Sequence, residues 1–369
     1  MKIFLFNKKY TKAVVAILMG FVLIQSCKDD DKVDESTAHD TTPYSFNQGV
    51  FPDPSIPDDN KLTIQGVKLG RMLFYETMLS KDGSMSCGSC HAQSNAFDDT
   101  ARFSIGVREL PGKRQAMAIF NMAWNSNEFF WDGRAHLLRD QSLKPIQDEL
   151  EMDETLENVI DKLQNNAAYR IQFSKTFGSN EITSEKISLA LEQFMMSIVS
   201  MNSKYDKYLA GTDSLTVSEE RGRQLFFAEY NPFFPEESGA DCVHCHGGSN
   251  FENDSYLNNG LDADGDVKDK GRENVSKAPA DRGRFKVPSL RNIELTTPYM
   301  HDGRFSTLEE VVDHYNEGLK ASTNIDPALE NTREKGLLLD AQEKADLVAF
   351  LKTLTDPVLT SDPAYSDPF

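Results

Sequence analysis

Two short motifs of cysteine and histidine carry the clearest chemistry in this chain. Four of its five cysteines belong to them, and each motif has the spacing Cys-x-x-Cys-His: Cys87, Cys90 and His91 in the first, and Cys242, Cys245 and His246 in the second. Two thiols at this spacing can bond the two vinyl groups of one porphyrin, and the histidine that follows can ligate its iron. A zinc ribbon does not need a histidine after each cysteine pair, and a redox dithiol needs a βαβ context. The motifs therefore predict two covalently attached c-type haems, with His91 and His246 as proximal ligands.

The motifs lie inside a longer duplicated unit. Residues 70–74 (GRMLF) precede the first motif, and residues 222–226 (GRQLF) precede the second. Farther along, residues 131–134 (WDGR) match residues 301–304 (HDGR). A repeat that carries one haem motif in each copy indicates two related domains in tandem, each with one haem.

Both copies show apolar residues at helical spacing, and few stretches alternate as strands do. Clear examples are Leu156, Val159, Ile160 and Leu163 in the first copy and Leu347, Phe350, Leu351 and Leu354 in the second. Thr216, Ser306 and Asp340 are each followed three residues later by a glutamate, which predicts three helix starts. We therefore expect a mainly α fold, with one domain at 49–210 and the other at 211–369.

The N-terminus has the composition of an export signal. Residues 1–26 combine four lysines with an apolar run that is too short to span a bilayer, and they end directly before Cys27. The junction resembles a bacterial lipobox, so Cys27 is the predicted lipidation site, with a plain secretory signal as the alternative. Residues 27–48 are then predicted to form a flexible acidic tether. The chain is predicted to be an exported lipoprotein, periplasmic or cell-surface, that is anchored to a membrane through Cys27.

The overall charge limits the partners. The chain has 369 residues, of which 58 are acidic and 39 basic, and its formal charge is −19. A nucleic-acid partner needs a basic surface, so this balance argues against nucleic acid. Hydrophobic residues make up 39% of the chain, which is typical of a globular protein and not of a disordered or polytopic membrane protein.

The repeat also indicates what occupies the far side of each iron. Aligning residues 132–134 with residues 302–304 matches Pro145 to Tyr315. A buried phenol needs a partner, and ferric iron is a suitable one. Proline has no side-chain group that can ligate a metal. The first iron is therefore predicted to be open and the second to be closed.

The second iron has three candidate ligands. Tyr315 continues an apolar stripe that begins at Leu308 on a predicted helix, so its ring is expected to face inward. Met300 and His314 stay as alternatives, although His314 lies off this stripe. Residues 247–284 are rich in Gly, Asn and Asp and are predicted to form a long loop over this haem.

Several motifs resemble those of the bacterial dihaem cytochrome c peroxidase family, which includes the methylamine-utilisation protein MauG. They are FWDGRA at residues 130–135, VPSLRN at 287–292 and PYMHDGR at 298–304, and the resemblance covers about residues 66–355. It implies two cytochrome c-like helical domains, each with one covalently bound haem, and a calcium ion between them.

The resemblance assigns the reactive site to the first haem. It implies that Gln141 and Glu151 line the distal pocket, where Glu151 is the general acid/base that moves a proton between the two oxygens of hydrogen peroxide. It also implies that Trp131 lies between the haems and relays electrons. A carboxyl group beside haem in apolar surroundings is expected to have a raised pKa, which suits this task.

The calcium site of the family also maps onto this chain. The resemblance implies ligation by the side-chain oxygen of Gln115 and by the backbone carbonyl groups of Thr296 and Pro298. Many family members have Asn where this chain has Gln115. We therefore expect a bound Ca²⁺ at a site whose side-chain ligand differs from the common one.

Two positions depart from the common pattern of the family. Val107 stands where many members have a histidine that caps the reactive iron, so this iron is expected to be open without prior reduction. Tyr315 stands where peroxidases usually have a methionine, and an anionic oxygen ligand stabilises ferric iron and lowers its reduction potential. Both departures resemble MauG.

Three functions are consistent with these residues. The first is reduction of hydrogen peroxide to water with electrons from a small redox protein such as cytochrome c. The second is a MauG-like oxidase that acts on a partner protein, and the third is a dihaem electron carrier without catalysis. We adopt the peroxidase as the prediction because it is the core activity of the family. For the oligomeric state, a homodimer is one of the alternatives that the sequence leaves open.

Overall fold

The structure is a computed structural model in which residues 37–49 and 51–369 are described. The predicted export signal, the lipidation site Cys27 and the first part of the tether fall outside these residues. The prediction of a flexible tether is wrong for its last residues, because Asp40 N donates to the carbonyl oxygen of Lys175 at 2.9 Å, Tyr44 N donates to that of Leu62 at 3.0 Å, and the Tyr44 ring packs against the apolar interior. Within the described ranges, no helix is both long enough and apolar enough to cross a membrane.

Helices make up most of the regular structure. In chain order the α-helices are α1 (Ile64–Tyr75), α2 (Cys87–Cys90), α3 (Leu138–Ser142), α4 (Lys144–Gln147), α5 (Leu156–Gln164), α6 (Ala167–Phe177), α7 (Ser184–Ser197), α8 (Lys204–Leu209), α9 (Val217–Phe227), α10 (Glu273–Ser276), α11 (Leu308–Asp313), α12 (Glu330–Lys335) and α13 (Ala341–Lys352). Short 3₁₀ turns occur at Thr77–Leu79, Gln93–Asn95, Met122–Trp124, Pro235–Glu237, Cys242–His244, Pro279–Asp281 and Pro327–Leu329. A π-turn at His314–Gly318 directly follows α11. The prediction of a mainly α fold is confirmed.

Two short strands interrupt the helical pattern. β1 (Tyr256–Leu257) pairs antiparallel with β2 (Phe285–Lys286), and Tyr256 lies opposite Lys286. β1 and α10 both lie in the stretch 247–284 that was predicted to be loop throughout, so that prediction is wrong in these two places. A two-residue strand and a four-residue helix are too short to leave a readable periodicity in the sequence.

A glycine marks the main helix crossing in each copy. α1 crosses α7 at Gly70, where an added Cβ would lie 1.9 Å from the carbonyl oxygen of Ala190. α9 crosses α13 at Gly222, where an added Cβ would lie 1.9 Å from the carbonyl oxygen of Asp346. Only glycine permits so close an approach of two backbones. The repeated glycine of the sequence is therefore also a repeated packing feature, as a duplication predicts.

A second repeated feature is an asparagine with a left-handed backbone, and the two copies are joined at these residues. Asn121 and Asn292 both adopt a left-handed conformation, with φ of 56° and 57°. Ser200 N donates to Asn121 Oδ1 at 2.8 Å, and Asn292 Nδ2 donates to Ser200 Oγ at 2.9 Å. The matching asparagines of the two copies thus bind the same serine.

Two clusters of buried apolar side chains form the interior. The first is built mainly from α1 and the segments from α3 to α7, and the second mainly from α9, α11 and α13. Tyr205, on α8, belongs to the second cluster. The end of the chain returns to the first cluster through Leu359 and Tyr365, where Tyr75 Oη donates to the carbonyl oxygen of Tyr365 at 2.8 Å. Each copy therefore has its own core, and the C-terminal segment connects them.

The helix starts test the predicted capping signals. Thr216 caps α9 and Asp340 caps α13, each in a capping box with the glutamate three residues later. The predicted cap at Ser306 is wrong by one residue, because Thr307 caps α11 in a box with Glu310. Ser306 and Thr307 are each followed three residues later by a glutamate, so the capping-box pattern fits a helix start at either residue.

Candidate functional site

The first motif begins with the short helix α2, and neither of its cysteines forms a disulfide. His91 Nδ1 donates to the carbonyl oxygen of Phe97 at 3.1 Å. Burial lowers the pKa of this imidazole, so the ring is neutral and its Nε2 keeps a lone pair. Cys87 and Cys90 are free thiols. These groups have the chemical form that thioether attachment and iron ligation require.

The second motif, which begins in the 3₁₀ turn Cys242–His244, has the same arrangement. His246 Nδ1 lies 3.2 Å from the carbonyl oxygen of Phe251 and 3.1 Å from that of Pro288. Burial lowers the pKa of His246 to about 4, so this ring also presents a neutral Nε2. Both cysteines of the motif are free thiols as well. The two motifs therefore offer the same donor set for two haems.

A cavity of about 830 Å³ adjoins the first motif. Its volume falls within the range of pockets that hold small molecules and cofactors. The side chains predicted for the reactive site all line it: Cys87, Cys90, His91, Trp131, Gln141, Pro145 and Glu151. An imidazole and two thiols at the wall of a space of this size fit a c-type haem. The structure thus brings the residues predicted around the first haem together in one cavity.

Glu151 lies in the cavity wall as a partly buried acid. Burial raises the pKa of its carboxyl group to about 7, Asp148 adds to the rise, and Arg134 opposes it. Val107 N donates to the carbonyl oxygen of Glu151 at 2.8 Å, which fixes the backbone of the acid against the segment that lacks the capping histidine. A carboxyl group with this pKa can accept and return a proton near neutral pH.

Trp131 is held firmly at the same cavity. Its indole Nε1 donates to the carbonyl oxygen of Gln115 at 2.9 Å, and its own carbonyl oxygen accepts from Lys286 N at 2.7 Å. Gln115 belongs to the first copy of the repeat and Lys286 to the second. The indole is therefore fixed where the two copies meet.

The predicted calcium ligands Gln115, Thr296 and Pro298 line this cavity too. Gln115 Nε2 donates to Asp98 Oδ1 at 2.9 Å, so the amide nitrogen is engaged and the amide oxygen Oε1 is the free end of the side chain. Among the described residues, no group of three or more His, Cys, Asp or Glu side chains could hold a metal ion. A cation here would therefore depend on amide and carbonyl oxygens, which calcium accepts.

Tyr315 lies in the π-turn after α11, and this turn changes the predicted facing of its neighbour. His314 was predicted to lie off the inward stripe, which is wrong, because His314 is buried in the wider turn while the partly buried Tyr315 packs against the second apolar cluster. Burial raises the pKa of the Tyr315 phenol to about 12, and a hydrogen bond from Asn259 opposes the rise. π-turns are rare, and they are frequently found at functional sites.

Asn259 is a residue that the sequence did not single out. Its Nδ2 lies 3.3 Å from Tyr315 Oη and 3.3 Å from Met300 Sδ, and its carbonyl oxygen lies 3.1 Å from His314 Nε2. All three candidates for the second iron therefore contact one residue. Tyr315 is 56 residues from Asn259 in the chain, and no periodic signal links positions so far apart.

Comparison with known proteins identifies the class. The family model for di-haem cytochrome c peroxidase matches residues 64–214. Cytochrome c551 peroxidase of Nitrosomonas europaea is 36% identical over 312 residues, which is 84% of this chain and 84% of that one. Methylamine utilization protein MauG of Methylorubrum extorquens is 34% identical over 300 residues, which is 81% of this chain and 80% of that one. The chain belongs to the di-haem cytochrome c peroxidase family.

A solved structure agrees with this assignment. A MauG-like protein associated with microbial copper homeostasis superposes with a TM-score of 0.79 at 35% identity, over 88% of this chain and 99% of that one. The family predicted from the sequence is confirmed, and so is the predicted function as a dihaem peroxidase, an oxidoreductase that acts on peroxide. Membership in the family also implies two haem cofactors.

Proposed function

We propose that the chain reduces hydrogen peroxide to water at its first haem site, with electrons from a small redox protein such as a cytochrome c. Glu151 carries this proposal, because its partly buried carboxyl group lies in the wall of the cavity that adjoins the first haem motif, and desolvation raises its pKa to about 7. Each peroxide molecule takes up two electrons and two protons, its O–O bond breaks, and two water molecules form.

The two Cys-x-x-Cys-His motifs each hold one covalently attached c-type haem, and these haems supply the iron that binds peroxide and the sites that store electrons. The thiols form thioether bonds with the vinyl groups. Nε2 of His91 and of His246 ligates iron, since each Nδ1 is engaged with backbone carbonyl oxygens. The two apolar clusters support one cytochrome c-like domain for each haem, at 49–210 and 211–369.

Glu151 transfers a proton at the reactive site, and Gln141 holds the bound peroxide. Glu151 accepts a proton from one oxygen of peroxide and returns it to the other oxygen as the O–O bond breaks, so that this oxygen leaves as water. The Gln141 amide lies in the same cavity wall and can hold the bound peroxide by a hydrogen bond. Val107 and Pro145 offer no group that ligates iron, which leaves the distal side accessible to peroxide.

Trp131 and a calcium ion connect the two halves in this proposal. Trp131 relays electrons between the haems, and its position supports this role, because its indole donates to Gln115 of the first copy and its backbone carbonyl oxygen accepts from Lys286 of the second. Ca²⁺ is bound by Gln115 Oε1 and by the carbonyl oxygens of Thr296 and Pro298, all from residues that line the first cavity.

Tyr315 is the sixth ligand of the second iron in this proposal. His314 is disfavoured because its Nε2 already lies 3.1 Å from the carbonyl oxygen of Asn259. Met300 is disfavoured because a phenolate oxygen binds ferric iron more strongly than a thioether does. The closed second iron then serves electron transfer, and the open first iron serves catalysis.

The proposal places the protein outside the cytoplasm, periplasmic or on the cell surface, with a lipid anchor at Cys27. The basic and apolar leader at 1–26 supports export, and only the part of the acidic tether before the described residues would separate the haem domains from the membrane, because Asp40 and Tyr44 are bonded to the folded chain. The electron donor is then a redox protein of the same compartment.

A MauG-like oxidation of a partner protein is the second candidate. Tyr315 favours it, because a tyrosine ligand lowers the potential of the second haem and makes it a poorer acceptor of electrons from a cytochrome c. The 35% identity to a MauG-like protein of known structure also favours it. A dihaem electron carrier would have no use for a partly buried acid at an open iron.

The role of Glu151 can be tested by substitution. In the haem-loaded protein, Glu151→Gln is expected to lower the rate of peroxide reduction by about a hundredfold or more, as the loss of a general acid/base does. The steady-state oxidation of reduced cytochrome c measures this rate, and the Soret absorbance checks haem loading. Glu149→Gln is the matched control, because Glu149 is exposed in the same acidic run. An unchanged rate in Glu151→Gln would remove Glu151 from the mechanism.

A further inference from the structure

Asn259 brings two possible iron ligands to a single hydrogen-bond donor. It lies two residues after β1, and its Nδ2 is 3.3 Å from Tyr315 Oη and 3.3 Å from Met300 Sδ. An amide nitrogen carries two hydrogens, so it can donate to both atoms at once. The phenol and the thioether are therefore held by the same side chain.

The backbone around Asn259 is fixed from both sides. The carbonyl oxygen of Asn259 lies 3.1 Å from His314 Nε2, and the carbonyl oxygen of Gly260 accepts from Lys320 N at 2.7 Å. Asn258 Oδ1 accepts from Gly260 N at 2.9 Å. These contacts hold the backbone of residues 258–260 against the π-turn and the segment after it, so the side chain of Asn259 starts from a fixed point within reach of Tyr315.

We propose that Asn259 is a positioning residue that aims the Tyr315 oxygen at the second iron and weakens its donation to that iron. The inference rests on the proposed function, in which Tyr315 is the sixth ligand. A hydrogen bond to an anionic oxygen draws electron density from it, so the oxygen stabilises ferric iron less than a free phenolate would. Asn259 therefore raises the reduction potential of the second haem and keeps electron delivery feasible despite the tyrosine ligand.

The first test removes the donor and measures the potential. In the diferric holoprotein, Asn259→Leu is expected to shift the ferric-to-ferrous equilibrium of the second haem about tenfold toward ferric, which is about 59 mV for a one-electron couple. Potentiometric titration measures the shift, and the phenolate-to-iron charge-transfer absorption should move with it. Asn253→Leu is the matched control, because Asn253 lies in the same stretch and donates to the carbonyl oxygen of His244 at 3.4 Å. An unchanged potential in Asn259→Leu would overturn the inference.

The second test asks whether the effect passes through Tyr315. In a Tyr315→Met background, Asn259→Leu should no longer shift the potential downward, because no phenolate oxygen is left to accept the hydrogen bond. A shift of the same size in that background would overturn the inference, since Asn259 would then act through general polarity. The isosteric Asn259→Asp, which also removes the donor, should lower the potential and serves if the leucine variant does not fold.

The same variants separate this inference from the proposed function. If Tyr315→Met alone changes neither the potential nor the spectrum of the second haem, Tyr315 is not a ligand and the proposed assignment fails. If Tyr315→Met changes both and Asn259→Leu changes neither, the assignment stands and only the role of Asn259 is overturned.

Discussion

The proposed proton transfer by Glu151 depends on the partial burial of its carboxyl group, and the same burial sets its pH response. Desolvation favours the neutral form of a carboxyl group, which raises the pKa of Glu151 to about 7. In the proposed mechanism, the ionised form of Glu151 accepts the first proton from peroxide. Below the pKa the ionised fraction falls about tenfold for each pH unit, and above it the fraction is nearly constant. The reactive site should therefore lose activity on the acidic side.

This argument predicts a pH profile. The rate constant for the reaction of the diferric holoprotein with peroxide is expected to fall about tenfold per unit below about pH 7 and to level off above it. Stopped-flow absorbance from about pH 5 to about pH 8 measures the profile, and Glu151→Gln should show a slow and flat one. A wild-type profile that is flat over the whole range would contradict the assignment of Glu151 as the proton acceptor.

At the scale of elements, the two glycine crossings hold each copy together. α9 touches the backbone of α13 at Gly222, where a Cβ would lie 1.9 Å from the carbonyl oxygen of Asp346. A backbone oxygen cannot swing aside as a flexible side chain can. Any side chain at this position must push the two helices apart and loosen the second apolar cluster.

Gly222→Ala should therefore lower the free energy of unfolding by about 1–3 kcal/mol, the usual cost of overpacking. Alanine is a better helix former than glycine by about 1 kcal/mol, which by itself would raise the free energy of unfolding. A net decrease must therefore come from the steric clash at the crossing. Denaturant unfolding followed by circular dichroism measures the change. Gly265→Ala is the control, because nothing lies within 4 Å of a Cβ added there. Equal stability of Gly222→Ala and wild type would show that the crossing tolerates a side chain.

The sequence predicted features that depend on local pattern and missed features that depend on tertiary packing. The haem motifs, the duplicated glycines and the capping boxes at Thr216 and Asp340 were readable because each is a short signal with fixed spacing. The π-turn was not, since the i, i+3, i+4 spacing assumes a regular α-helix through Tyr315. Asn259 was not, because its contact with Tyr315 exists only once the loop folds over α11.

At the scale of the whole molecule, the two copies of the duplicated unit differ in the residue that they offer to the far side of their iron. The alignment of the copies matches Pro145, which cannot ligate iron, to Tyr315, which can. The second copy also helps to build the first site, because Thr296, Pro298 and Met300 line the cavity beside His91. The copies meet at Ser200, which binds both repeated asparagines. In the proposed function, the duplication thus provides one haem for catalysis and one for electron transfer.

The central claim is that the first iron is open at rest, since neither Val107 nor Pro145 can cap it. Stopped-flow absorbance of the diferric holoprotein, mixed with one equivalent of hydrogen peroxide, tests this claim most directly. The account predicts a rapid change of the Soret band without prior reduction, which a reduced cytochrome c then reverses. No change until the protein has been half-reduced would mean that another residue caps the first iron, and it would contradict the account.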